Sequence, residues 1–367
     1  MRQVDPIRLE VMKNAFDAIA DEMALMLMRA AYSPIVRDSM DYSTAICDAQ
    51  GQTLAQGVTT PMHLGSFYDA MQHLMRRYAG NIRPGDVFIG NDPYAADGQH
   101  LPDIYIVEPV FHAGRLVAWT TTLAHHADVG GIVPGSNALG AEEIYQEGLR
   151  LPFLKLYDAG VMNAAIWEII GLNVRVPDMV HGDLRAQMAA SHAGRRSFME
   201  LVERYGIDEV LASAEELHDY AERLGRAEIR DLPNGTYHFT DHLDGLGETP
   251  EPIVIQLALT IHDETISVDF AGSSRQVPGG VNTPLPFTKA SVYTALRSVL
   301  RAMNADVVVL QEIGGRAYLE ELRRDLAGEE GGEIGMGVQP GADRGAALRQ
   351  LADIVRHRAL DAGAAGD

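Results

Sequence analysis

The chain has 367 residues and a mass of 39.9 kDa, with 46% hydrophobic residues, 22% charged residues and 36 glycines. This composition excludes wholesale disorder, collagen and coiled coil, and the length suits two or three subdomains. Thirty Lys and Arg against 51 Asp and Glu leave a formal charge of -21, so a phosphate backbone is repelled and no nucleic-acid partner is expected. A single cysteine, Cys47, forbids an intramolecular disulfide and any multi-cysteine metal site. With no apolar leader and no run of about 18 apolar residues, the expectation is a cytoplasmic protein that does not enter a membrane.

Asp5-Pro6 opens a long amphipathic helix in which Ile7, Val11, Ala15, Ile19, Met23 and Met26 recur every three to four residues, a Met-rich stripe read as core or subunit interface. Small and β-branched residues from Tyr42 to Leu54 around Asp48-Ala49-Gln50-Gly51 predict a hairpin leading to Pro61-Met62-His63-Leu64-Gly65-Ser66, with a helix over about 67–78. Val87-Phe88-Ile89 is a short buried strand ending at Gly90-Asn91-Asp92-Pro93-Tyr94, and strand-like runs at 104–111 and 116–123 flank His112-Ala113-Gly114-Arg115. From about 163 to 226 the chain reads as helical, broken at Val176-Pro177 and Tyr205-Gly206. Past Leu232-Pro233-Asn234-Gly235 the period returns to two at 237–242, 253–261 and 266–270.

The expected fold class is α+β, with mixed helices and largely antiparallel sheets. Its regions are 1–160 (N-terminal α+β), 161–231 (helical), 232–300 (antiparallel β) and 301–367 (an atypical Gly-rich tail). Within the tail we expect a strand at 305–310, a helix at about 317–326 and a mobile loop over 328–344.

The densest polar cluster is Asn91-Asp92-Pro93-Tyr94, Gln99-His100-Leu101-Pro102-Asp103 and His125-His126-Ala127-Asp128. If the two runs beside it form a hairpin, Asp103 falls opposite Ala124 or His125, and both ends of the cluster meet at the open mouth. Imidazole and carboxylate suit Zn, Mn or Fe, and three protein ligands with a vacant position are what a catalytic metal requires. His100, Asp103 and His125 could form that triad. On spacing alone, hydrogen-bonded loop residues capping strand ends remain the alternative. His126, one residue along, should face the other side of the strand, as a supporting or substrate-facing group.

Asn91-Asp92-Pro93-Tyr94, His100-Leu101-Pro102-Asp103-Ile104, Ala124-His125-His126-Ala127-Asp128-Val129-Gly130-Gly131 and Gln146-Glu147-Gly148-Leu149-Arg150-Leu151-Pro152 together resemble the hydantoinase B family. That family includes the B-type chain of N-methylhydantoinase, the matching half of 5-oxoprolinase and the acetone carboxylase alpha subunit. Gly182-Asp183-Leu184-Arg185-Ala186-Gln187 and Phe270-Ala271-Gly272-Ser273-Ser274 extend the likeness, which covers about residues 5–300.

The resemblance implies one divalent transition metal (Zn, Mn or Fe) on His100, Asp103 and His125. It also implies a hetero-oligomer with a hydantoinase A-type partner that uses ATP to phosphorylate a small-molecule substrate. This chain would then open the activated cyclic amide by adding water; Asp128 or His126 is the candidate for moving the proton, with structural or supporting duty the favoured alternative for both. Arg150, with Glu142, Glu143 and Gln146, is expected to contact a substrate carboxylate or phosphate, or else to form a fold-internal ion pair. His63 either lines the pocket or is a satisfied core histidine. No phosphate-binding Gly motif occurs, so ATP should bind the partner. The alternatives are the alpha subunit of an ATP-dependent ketone carboxylase and an inactive family member truncated or altered after about residue 300. Ala305 to Glu312 resembles the metal-binding strand of the endonuclease/exonuclease/phosphatase family, but the later His and Asp motifs of that fold are missing and no nuclease activity is expected.

Overall fold

A computed structural model describes residues 5–57, 63, 65–247 and 250–302. Seven strands form one sheet: β1 (Tyr42–Asp48), β2 (Thr53–Gln56), β3 (Val87–Gly90), β4 (Asp103–His112), β5 (Arg115–His125), β6 (Leu154–Asp158) and β7 (Val161–Met162). Their order is β2-β1-β5-β4-β3-β6-β7, with every neighbouring pair antiparallel. At its centre lies the β4–β5 hairpin, turned at Ala113-Gly114, both with positive φ. Eight consecutive residues of β4 and nine of β5 are buried, as strands covered on both faces must be. A bulge between Val110 and Phe111 adjusts the hairpin, and beyond it the register carries Asp103 to His125, one of the two partners expected for it.

Successive residues of a strand point to opposite faces, and this alternation positions the site. Trp119 and Leu123 of β5 pack with Tyr105, Val107, Phe88 and Phe153 against α3 (Ser66–Arg77), through its Phe67, Ala70, Met71 and Leu74. Ala118 and Ala124 face the other way, toward α1 (Pro6–Ala30), α6 (Pro177–Tyr205) and α7 (Ile207–Arg230). Helix α5 (Ala164–Asn173) covers the adjoining part of that second face with Ile166 and Ile170, while α2 (Pro34–Arg37) and α4 (Ile144–Glu147) are single turns. The helices of the 161–231 region thus rest on the sheet of the N-terminal region.

Pro6 at the first helical position and the Asp5 carboxylate, which accepts from Ile7 N, start α1 where expected. Its buried stripe, however, is Leu9, Met12, Phe16, Ile19, Met23 and Leu27, whereas Ile7 and Val11 are exposed. The two stripes share Ile19 and Met23; the one carrying Phe16 and two leucines buries more apolar area and wins.

The second sheet, β10-β9-β8, is formed by β8 (Gly235–Leu243), β9 (Ile253–His262) and β10 (Thr265–Asp269), and the period of two puts Leu257, Leu259 and Ile261 into a small core with Leu232 and Ala295. Helix α8 (Leu285–Ala302) packs on α3, where Lys289 Nζ lies 2.6 Å from Asp69 Oδ2. The elements expected at 305–310, 317–326 and 328–344, and residues 61, 62 and 64, lie outside the described residues. Among those described, no helix is long and apolar enough to cross a membrane.

Candidate metal centre

Asp103 opens β4 and His125 closes β5, so their pairing places both at the mouth of the hairpin on the α3 face. His100 is brought back to them by a tight turn in which Asp103 N donates to His100 O at 3.1 Å. Asn91 secures that loop. Its amide nitrogen donates to Leu101 O at 2.6 Å and Leu149 O at 2.9 Å, and its oxygen accepts from Leu151 N at 2.7 Å.

Three ligand atoms converge at the mouth. His100 Nε2 is 2.9 Å from Asp103 Oδ1, His125 Nδ1 is 3.3 Å from the same oxygen, and the two nitrogens are 3.1 Å apart. Asp103 Oδ1 is buried and, despite that proximity, makes no well-formed hydrogen bond. Tetrahedral ligands about 2.0–2.1 Å from a shared ion sit roughly 3.3 Å apart. Spacing, donor types and the orphaned oxygen therefore fit a divalent ion. The side chain of Asp103 is 3% exposed and that of His100 37%, so the cluster is closed behind and open in front.

Two more groups stand behind the triad. His63 is fully buried, with Nε2 3.5 Å from Asp103 Oδ2 and Nδ1 3.0 Å from Ser43 Oγ, a position that orients the carboxylate and keeps His63 from direct contact with solvent. Asp41 is not among the residues singled out from sequence. Pairing of β1 with β5 sets it beside His125, whose N donates to Asp41 O at 3.0 Å, and its carboxylate oxygens lie 3.8 Å from His125 Nδ1 and 3.7 Å from His63 Nε2. Burial disfavours protonated His63 and His125, yet the fields of Asp103 and Asp41 outweigh it and raise both pKa values. Burial likewise opposes the charge on Asp103, but His100 and His63 hold its carboxyl well below the usual range.

The remaining sequence candidates fall elsewhere. His126 points to the α6 face, as strand alternation requires, where its Nε2 lies 2.9 Å from Gln187 Oε1 and burial lowers its pKa. Asp128 organises the loop after β5: it accepts from Arg175 N at 2.7 Å, Arg175 Nη1 at 2.8 Å, Gly130 N at 3.1 Å and Gly135 N at 3.2 Å. Glu143 forms a capping box with Gln146 at the start of α4. Arg150 pairs through Nε with the buried carboxylate of Asp92. Glu147, inside the Gln146–Pro152 motif but given no role from sequence, is a partly buried carboxyl close enough to feel His100; burial raises its pKa against that field.

These features define an α+β protein with a two-histidine, one-carboxylate cluster at the open end of a central antiparallel hairpin. Residues 5–309 match the Hydantoinase B/oxoprolinase family, and the chain belongs to it. The match runs past residue 300, into the start of the 301–367 tail read from sequence as atypical. The caprolactamase beta chain of Pseudomonas jessenii is 36% identical over 296 residues, covering 81% of this chain and 51% of that one. The 5-oxoprolinase of Dictyostelium discoideum is 31% identical over 310 residues, covering 82% of this chain and 24% of that one. The crystal structure of ATP-dependent caprolactamase from Pseudomonas jessenii superposes with a TM-score of 0.76 over 81% of this chain and 51% of that one, at 36% identity. A nucleotide-free acetone carboxylase structure gives a TM-score of 0.74 at 21% identity over 82% of this chain and 41% of that one, a likeness of fold alone. The chain spans about half the length of the caprolactamase beta chain and a quarter of the 5-oxoprolinase.

Proposed function

We propose that this chain is the metal-binding, ring-opening subunit of an ATP-dependent cyclic-amide hydrolase of the hydantoinase/5-oxoprolinase type. The observation that carries the reading is the convergence of His100 Nε2, His125 Nδ1 and the orphaned Asp103 Oδ1. A divalent ion held there would polarise a carbonyl and lower the pKa of a bound water. His63 and Asp41 fix and charge-balance the ligands. The proton-moving role expected of Asp128 or His126 falls better to Glu147, because Asp128 is saturated by Arg175 and backbone donors and His126 is buried on the far face of the sheet. Activation of the substrate by phosphorylation is assigned to an A-type ATP-using partner in a cytoplasmic hetero-oligomer. The hydrolase reading is preferred over ketone carboxylation because the named hydrolases share 31–36% identity with this chain, against 21% for the acetone carboxylase structure.

Elemental analysis of the untagged full chain tests the centre, with about one transition-metal ion per chain expected and its loss in His125→Ala; equal metal in both proteins refutes it. Co-purification with an A-type partner, followed by phosphate release with hydantoin, 5-oxoproline, or acetone plus bicarbonate, tests the reaction. Release with the ketone alone would replace the hydrolase by the carboxylase.

A further inference from the structure

The β4–β5 hairpin is closed covalently at its turn and open at the end that carries the ligands, where Asp103 and His125 are the last pair of the register. Strand ends open first, yet His100 Nε2, His125 Nδ1 and Asp103 Oδ1 stand 2.9–3.3 Å apart, and a metal requires such a constellation to be kept to within about 0.5 Å. The two strand ends need a brace.

Gln187 supplies it from the other side of the sheet. Neighbouring residues of a strand point to opposite faces, so Ile104 and His126, one step along from Asp103 and His125, turn toward α6. Gln187 is fully buried and reaches both strands. Its Nε2 donates to Ile104 O at 2.8 Å and to Thr122 Oγ1 at 3.3 Å, and its Oε1 accepts from His126 Nε2 at 2.9 Å. With both amide hydrogens used in this way, the amide oxygen faces the imidazole, which sets the Nε2–H tautomer and the ring orientation of His126. Main chain completes the brace, since His126 N donates to Pro102 O at 2.8 Å. One side chain thus ties the start of β4 to the end of β5, at the residue next to a ligand on each strand, and touches neither ligand.

The brace is itself anchored. One turn before Gln187, Asp183 Oδ1 accepts from Tyr32 N at 2.7 Å and from Ser33 N at 3.0 Å; two turns after it, Arg195 Nε lies 2.7 Å from Glu108 Oε1 on β4. Asp183, Gln187 and Arg195 are spaced by multiples of four and form one stripe of α6 against the sheet. A leucine would fill the volume of Gln187; the amide adds directional bonds to both strands.

We propose that Gln187 is a positioning residue for the metal centre: by clamping Ile104 of β4 to His126 of β5, it fixes the separation of Asp103 and His125 and with it the affinity and coordination geometry of the ion they hold. The ion rests on the function proposed above, whereas the clamp is measured without metal. Cobalt(II) is the probe, because its visible spectrum reports coordination geometry. In Gln187→Leu, studied at a temperature where circular dichroism shows it folded, cobalt affinity should fall roughly tenfold to a hundredfold, with a shifted spectrum. Gln187→Asn keeps an amide but is one methylene too short to span both strands, and should respond in the same direction if the leucine variant does not fold. Leu217→Ala removes a buried leucine of α7, away from β4 and β5, for a comparable loss of stability; it should bind cobalt as the parent does.

In chelator-treated protein, the amides of Asp103 and His126, which close the mouth, should exchange hydrogen roughly tenfold faster in Gln187→Leu and at the parent rate in Leu217→Ala. Unchanged cobalt affinity and spectrum in a folded Gln187 variant would overturn the proposal, as would an equal loss in Leu217→Ala, since affinity would then follow global stability. Unchanged exchange at Asp103 and His126 would overturn it as well. A parent chain that takes up no cobalt would defeat the metal-binding reading, while the exchange pattern above would still establish the clamp on the Asp103–His125 pair.

Discussion

Gln187 sits where α6 crosses β4 and β5, and its amide joins three groups. Nε2 donates to Ile104 O at 2.8 Å and to Thr122 Oγ1 at 3.3 Å, while Oε1 accepts from His126 Nε2 at 2.9 Å, all of it buried. Gln187→Leu nearly preserves volume and helix propensity, so the cost comes from hydrogen bonding. Three lost bonds at about 1 kcal/mol each, with a further 1–3 kcal/mol or so for a buried imidazole N–H left without an acceptor, are set against the smaller gain from burying leucine. The net destabilisation is about 2–4 kcal/mol, a large share of the roughly 5–15 kcal/mol that holds a native fold. At about 2–4 °C per kcal/mol for a body of this size, Tm should fall by roughly 4–16 °C. Thermal melts followed by circular dichroism, with urea unfolding as a second measure, provide the assay. A fall of less than about 2 °C would show that the Gln187 amide is replaced by water or relaxes freely, and the account of this junction would be wrong.

Gly194 lets α6 approach α1 and the sheet, since a Cβ there would overlap Met23 Sδ and stand 2.7 Å from Met23 Cγ and 3.2 Å from Thr120 Cγ2. Met23 is fully buried, so Gly194→Val should destabilise by about 2–3 kcal/mol through overpacking; Gly194→Ala should cost less because alanine recovers about 1 kcal/mol of helix propensity, and a valine variant as stable as the parent in urea contradicts the close approach. Burial raises the Asp128 pKa, but the Arg175 and Gly130 donors overcome this and hold it below the ordinary value. Its stabilising contribution is thus present above about pH 4 and lost as pH falls through the lower folded pKa. Asp128→Asn should therefore be less stable at neutral pH and show a flatter acid limb in melts taken from about pH 7 to 2; an acid limb as steep as the parent's would remove Asp128 as its source.

What could be read from the residues was what depends on neighbours in the chain. The turn at Ala113-Gly114 and the apolar runs on either side set the β4–β5 register within one residue, and with it the meeting of Asp103 and His125. Strand alternation placed His126 on the opposite face, and the proline and glycine breaks at 176–177 and 205–206 separated α5, α6 and α7. Tertiary packing decided the rest, because energies that depend on distant partners leave no local trace. Two stripes of α1 are almost equally apolar, and the area each buries against α6 and the sheet selects Leu9 and Phe16 over Ile7 and Val11. Asp41 reaches the cluster only because β1 pairs with β5, a contact between segments far apart in sequence whose register no turn specifies. Asp128 has the residue type of an acid/base and lies three positions from His125. Only the folding of Arg175 onto its loop, from the far side of α5, commits that carboxylate to holding backbone in place.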